Sequence, residues 1–136
     1  MSSTHPRPLS PHLSIWKWGW GMTVSILHRI TGGALTTVGL ALFTWWLMAL
    51  AGDASGYDRF QAMLDYRLAG FPLLLFVLIA LTWAFWQHLF SGLRHLVLDT
   101  GAGYELRVNR FWAVMTVAGA IMATAVTWFL LMGVGR

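Results

Sequence analysis

Three stretches of this chain carry no Asp, Glu, Lys or Arg: 23 residues between Arg29 and Asp53, 26 between Arg67 and Arg94, and 25 between Arg110 and Arg136. An α-helix rises about 1.5 Å per residue, so roughly 20 residues cross the ~30 Å hydrocarbon core of a bilayer. Each stretch is long enough to cross with some tilt. In lipid every backbone N–H and C=O must be satisfied by the protein itself, which leaves helices and closed barrels. A barrel needs alternating strands of about ten residues, and the sequence shows no such alternation. The reading is an all-α membrane protein with three transmembrane helices over about 22–51, 69–94 and 110–133, preceded by a tail and interfacial segment over 1–21.

Composition agrees. Of 136 residues 57% are hydrophobic and 10% charged, against about 25% charged in a soluble domain, so the chain lacks the means to cover a surface in water. The formal charge of +4 comes from nine basic residues scattered singly at the edges of apolar segments. A nucleic-acid binder would gather them into a stripe; here they read as topology signals. Six basic residues (Arg7, Lys17, Arg29, Arg94, Arg107, Arg110) lie in the N-terminal region and second loop, and three (Arg59, Arg67, Arg136) in the first loop and C-terminus. The positive-inside rule then puts the N-terminus inside and the C-terminus outside. No cleavable leader is expected, since the first apolar stretch is long and lacks a small-residue cleavage pattern. The absence of cysteine excludes disulfides, thiolate-held iron–sulfur clusters and c-type haem within this chain.

Polar groups inside membrane helices are costly and so are functional candidates. The first cluster is Ser25-Ile26-Leu27-His28-Arg29-Ile30-Thr31-Gly32-Gly33. Ser25 and Arg29, four apart, share a helix face, with the glycines one turn deeper. A hydroxyl beside a guanidinium suits a carbonyl-bearing or anionic ligand; the plainer alternative is an Arg snorkelling to headgroups and a Ser bonded to its own backbone. In the second cluster His88, Gly92, His95 and Asp99 fall at i, i+4, i+7 and i+11, one continuous stripe. Imidazole is a good axial ligand for haem iron, and a small residue one turn away can make room for the macrocycle; Arg94 and His95, nearer the aqueous edge, are candidates to meet propionates. The plainer alternative is interhelical hydrogen bonding. His5 and His12 lie in the tail and read as solvated.

Three motifs in order, Arg7-Pro-Leu-Ser-Pro-His-Leu13, Ser25-Ile-Leu-His-Arg-Ile-Thr-Gly32 and His88-x3-Gly-Leu-Arg-His-Leu-x2-Asp99, resemble the cytochrome b large membrane-anchor subunits of succinate dehydrogenase (respiratory complex II). The resemblance spans nearly the whole chain and is greater to the mitochondrial and alphaproteobacterial branch. It implies a non-flavin subunit of a succinate:ubiquinone oxidoreductase in a bacterial inner membrane, packing with a smaller membrane-anchor subunit around one haem b. The flavoprotein subunit, with FAD, and the iron–sulfur subunit would dock on the inner face and pass electrons from succinate to ubiquinone.

By motif, His88 matches the axial haem ligand, and His28, Arg29 and His95 match contacts to the haem propionates. Ser25 and Arg29, with Ile26, match quinone-site residues, and Trp18 and Met22 match positions lining the same pocket. Two departures stand out. Gly19, Trp20 and Gly21 replace the usual neighbours of Trp18, and Gln87 takes the place of the usual aromatic before the ligand histidine. The alternatives are a quinol:fumarate reductase anchor, which shares the chemistry and differs in direction, and a small haem-free transporter. None of the three charge-free stretches carries an Asp or Glu of the kind proton coupling favours.

Overall fold

The computed structural model describes residues 15–134; the tail with His5, His12 and the Arg7–Leu13 motif, and the terminal Arg136, lie outside the described residues. Three helical spans are long and apolar enough to cross a membrane: Trp20–Ala51, Leu73–Asp99 and Leu106–Gly133. The first is made of α1 (Trp20–Ala34), a π turn (Leu35–Gly39) and α2 (Leu40–Ala51). A short α3 (Ala54–Leu64) follows, then α4 (Leu73–Asp99) and α5 (Leu106–Val134).

The ends of these helices follow local chemistry. α4 begins after Pro72, which has no N–H to give. It continues five residues beyond the expected 94, so His95 to Asp99 are helical and the loop that reads as beginning at His95 begins at Thr100. The stop is supplied by Gly101 at φ 87, whose N–H reaches the Leu98 oxygen at 2.9 Å, a left-handed cap that glycine adopts without strain. The first loop holds a helix that apolar stretches alone do not reveal. Asp53 caps it, accepting from the Gly56 N–H at 2.9 Å and from the Ser55 hydroxyl at 2.9 Å. Those two donors, Ser55 first, hold the Asp53 carboxyl below its usual range.

The π turn is the main departure from a straight span. Thr36 donates to the Gly32 oxygen at 2.9 Å, and Thr37 to the Gly33 oxygen at 2.7 Å. Hydroxyls that bond back to the preceding turn compete with the backbone ladder and bend helices. The consequence is a division of labour along the span. α1 packs against both α4 and α5, whereas α2 packs on the π turn and α3 and, among the described residues, not on α4 or α5.

The seam where α1, α4 and α5 meet holds mostly small or hydroxylated residues (Val24 and Thr31; Ala84 and Ser91; Ala113, Thr116, Ala120 and Thr124) with one larger side chain, Gln87. Small side chains let membrane helices approach closely, and the threonines return their protons to carbonyls of their own helices. Gln87 turns into this seam, fully buried, with neither amide atom hydrogen-bonded among the described residues.

Candidate functional site

The closest polar contacts between the two candidate motifs lie where α1 crosses α4. His28 of α1 lies flat on His88 of α4, ring centroids 3.9 Å apart and planes 7° from parallel. His95 meets the edge of His28 at 5.2 Å and 65°. The three rings stack and abut and do not converge on one point; among the described residues no three His, Asp or Glu side chains form a metal-binding group.

Hydrogen bonds fix which nitrogen of His88 carries the proton. His88 Nδ1 lies 3.0 Å from the His28 main-chain oxygen and 3.4 Å from Thr31 Oγ1. The Thr31 proton is already given to the Leu27 oxygen at 2.7 Å. Both neighbours of Nδ1 are therefore acceptors, so Nδ1 carries the proton and His88 Nε2 keeps its lone pair. A histidine oriented by an Nδ1–H bond to a carbonyl is the usual arrangement for a metal ligand. The residues present thus fit one axial bond to haem iron from this chain. The same contact is also the interhelical hydrogen bond of the plainer reading; the two roles use different nitrogens of one ring.

The glycines divide their duties differently from what spacing alone conveys. A Cβ placed on Gly32 would sit 2.9 Å from His88 Cε1 and 3.3 Å from Nδ1, whereas one on Gly92 would meet His28 Cε1 at 3.6 Å, an ordinary contact. Gly32 is the bare patch of backbone on which the His88 ring rests. We therefore expect Gly32→Ala to displace His88 and Gly92→Ala to be tolerated. The check is the haem-to-flavin ratio of the purified assembly, low in the first and near normal in the second.

The other candidates occupy a different face. Val24 and Thr31 are buried against the neighbouring helices, while Met22, Ile26 and Arg29 are exposed on the far side of α1 and Ser25 is half-buried beside them. At i, i+3, i+4 and i+7 these four form one stripe, directed out of the three-helix bundle. Trp18 donates from Nε1 to Thr23 Oγ1 at 2.5 Å. Trp18 and Met22, with Arg94, His95 and Arg110, line a cavity of about 600 Å³ at one end of the bundle, and Ser25, Ile26 and Arg29 do not reach it. Arg94 turns toward α5, donating to Asn109 Oδ1, because it stands six positions from His88 and so off the His88–His95 stripe. It borders an apolar cleft of about 430 Å³ between α4 and α5, lined among others by Phe90, Trp112 and Gly119.

Two residues in this geometry were not singled out from sequence. Ser91 accepts from or donates to His28 Nδ1 at 2.8 Å, and Thr31 flanks His88. Ser91, at i+3 from His88, shares with it the side of α4 turned toward α1, a signal present in the spacing.

Comparison with known proteins gives a consistent picture. Residues 3–127 match the family model described as succinate dehydrogenase/fumarate reductase transmembrane subunit. The succinate dehydrogenase cytochrome b556 subunit of Paracoccus denitrificans is 36% identical over 121 residues, covering 89% of this chain and 88% of that one. The b556 subunit of Rickettsia typhi is 37% identical over 123 residues, 90% of each chain. The cytochrome b560 subunit of Reclinomonas americana is 36% identical over 126 residues, 91% of this chain and 85% of the relative.

Proposed function

This chain belongs to the succinate dehydrogenase/fumarate reductase transmembrane subunit family, and from that premise we propose that it is the haem-binding, quinone-contacting anchor of a succinate:ubiquinone oxidoreductase. The observation that carries the reading is the state of His88: Nδ1–H is committed to the His28 carbonyl, which leaves Nε2 as a free donor to iron. The relatives are named as b-type cytochromes, and haem b, when bound, supplies a one-electron redox centre. His28 and His95, grouped with His88, and Arg29 are assigned to its propionates.

The quinone site is assigned to the outward stripe of α1. Ser25 offers a rotatable hydroxyl and Arg29 a fixed fork of donors, with Ile26 and Met22 beside them; Met22 joins this stripe to the end cavity that Trp18 lines. A site on the outside of this bundle needs other walls, and the partners supply them: the iron–sulfur subunit at the inner surface and a smaller membrane anchor alongside. The flavoprotein, which holds FAD and the succinate site, completes the assembly. Succinate oxidation therefore takes place outside this chain, whose own residues position ubiquinone and hold haem.

Affinity purification of the tagged chain from its own membranes tests the assignment. The expected product contains a flavoprotein, an iron–sulfur protein and a second small membrane chain, with b-type bands in the reduced-minus-oxidised spectrum. Purification without these partners and bands would overturn it. Reporter fusions add orientation: inside for the loop between Gly101 and Asn109, outside for the C-terminus. The reverse pattern would put Ser25 and Arg29 on the side away from the soluble subunits.

A further inference from the structure

Ser91 sits fully buried in the contact between α1 and α4, and the reading above gives it no task. A serine hydroxyl has one proton and two lone pairs. The proton is spent on its own helix: Oγ lies 2.6 Å from the Gln87 oxygen and 3.2 Å from the His88 oxygen. The remaining contact, 2.8 Å to His28 Nδ1, is then a hydrogen bond in which the imidazole donates. Ser91 thereby sets the tautomer of His28, with the proton on Nδ1, and the direction in which the ring points.

That ring is the floor on which His88 lies, 3.9 Å away and 7° from parallel. The main chain of the same residue takes the His88 Nδ1–H at 3.0 Å. His88 is thus held on its face by the His28 ring, on its edge by the His28 carbonyl, and on a third side by the bare backbone of Gly32. The carbonyl and Gly32 are fixed by the helix. The His28 ring turns about its own side-chain bonds, and among the described residues Ser91 is the side chain hydrogen-bonded to it.

We propose that Ser91 is a positioning residue that, by accepting the Nδ1–H of His28, keeps that ring flat on His88 and so fixes the plane of the imidazole offered to haem iron. The proposal rests on the reading of His88 as the axial ligand. Partners one bond removed from a metal ligand orient it, and losing one costs on the order of 10–100-fold in affinity. The plane of an axial imidazole also sets its overlap with the iron d orbitals. The g values of a ferric haem are sensitive to that plane, a readout separate from how much haem is retained.

The test uses the assembled complex carrying Ser91→Ala and Ser91→Thr, with haem-to-flavin ratio and electron paramagnetic resonance as readouts. Ser91→Ala, one contact further out than such a partner, is expected to weaken haem retention by less than about 10-fold and to move the largest g value, and Ser91→Thr to restore both. Wild-type g values and haem content in Ser91→Ala would overturn the proposal. If Ser91→Ala does not assemble, Ser91→Thr and Ser91→Val decide, since they share a shape and differ by the hydroxyl. A wild-type spectrum in Thr with a shifted one in Val supports positioning, and equal spectra refute it. A His88→Ala complex with unaltered haem defeats the ligand reading itself. An altered His88→Ala beside an unaltered Ser91→Ala defeats only the role of Ser91.

Discussion

In an assembled complex carrying His88→Ala, the b-type bands are expected to be lost or displaced and the haem-to-flavin ratio to fall by at least the 10–100-fold in affinity that weaker, indirect changes to a metal site produce. The reasoning runs through the ring rather than through the motif. His88 has one nitrogen committed to the main chain of α1 and, on the other, no hydrogen-bond partner among the described residues. His28 is the nearest competitor, and its ring stands 3.9 Å to one side with Nδ1 bonded to Ser91. The substitution also removes the His88–His28 contact, so the α1–α4 crossing is expected to weaken and detergent extraction to yield less intact assembly. Oxidation of succinate with an acceptor that takes electrons at the flavin should stay near normal in whatever assembles, since the proposed function puts that chemistry on another subunit. A full complement of haem with unchanged optical and paramagnetic spectra would show that another residue is the ligand.

The parts of this fold that were legible beforehand were those set by solvent. Three charge-free stretches of 23 to 26 residues have no stable home in water, and lipid forces them into helices. The His88–Gly92–His95 stripe was legible because helical periodicity is rigid at i, i+4 and i+7. What the sequence left hidden depended on contacts between elements. Within the π turn Thr36 and Thr37 bond back to the carbonyls of Gly32 and Gly33, but Thr31, Thr82 and Thr124 do the same inside regular α-helix, so the threonines did not announce it. α3 is short and polar, so no apolar run announces it; its cap, Asp53 with Gly56 three residues on, was the available signal. Gly92 drew attention as the small residue in the motif, yet Gly32 carries the tighter contact with His88. Spacing along one helix cannot say which residue of another helix faces it. For the same reason the turn of Arg94 toward Asn109 and of Gln87 into the seam came only from the packed arrangement.

The same packing gives one short motif two faces. On α1, His28 and Thr31 turn inward to α4, while Ser25 and Arg29 turn outward. Adjacent residues of a helix are about 100° apart, so the proposed haem and quinone roles fall to neighbouring residues of a single helix.

That adjacency shapes the last prediction, which separates a quinone site from a lipid anchor. As a quinone gains electrons its carbonyl oxygens become negative, and donors already aimed at them stabilise that charge without reorganising. Removing the hydroxyl in Ser25→Ala is expected to cost about 1–3 kcal/mol, which is about a 5- to 150-fold loss in quinone reduction. Succinate oxidation by a flavin-level acceptor should be unchanged, and the haem spectrum should stay that of the unmodified complex, since Ser25 lies on the outward face. Arg29 is the harder case, because it is assigned to both quinone and propionate. Arg29→Lys keeps the charge and discards the planar fork. A headgroup anchor needs only the charge and would tolerate the change. A directed contact needs the fork, so quinone turnover should fall and sensitivity to quinone-site inhibitors should decline with it. The two variants therefore bracket the site: Ser25→Ala tests the hydrogen bond without touching charge, and Arg29→Lys tests geometry at constant charge. Full quinone turnover with unaltered inhibitor sensitivity in both would leave this face of α1 as a lipid anchor and place the quinone elsewhere.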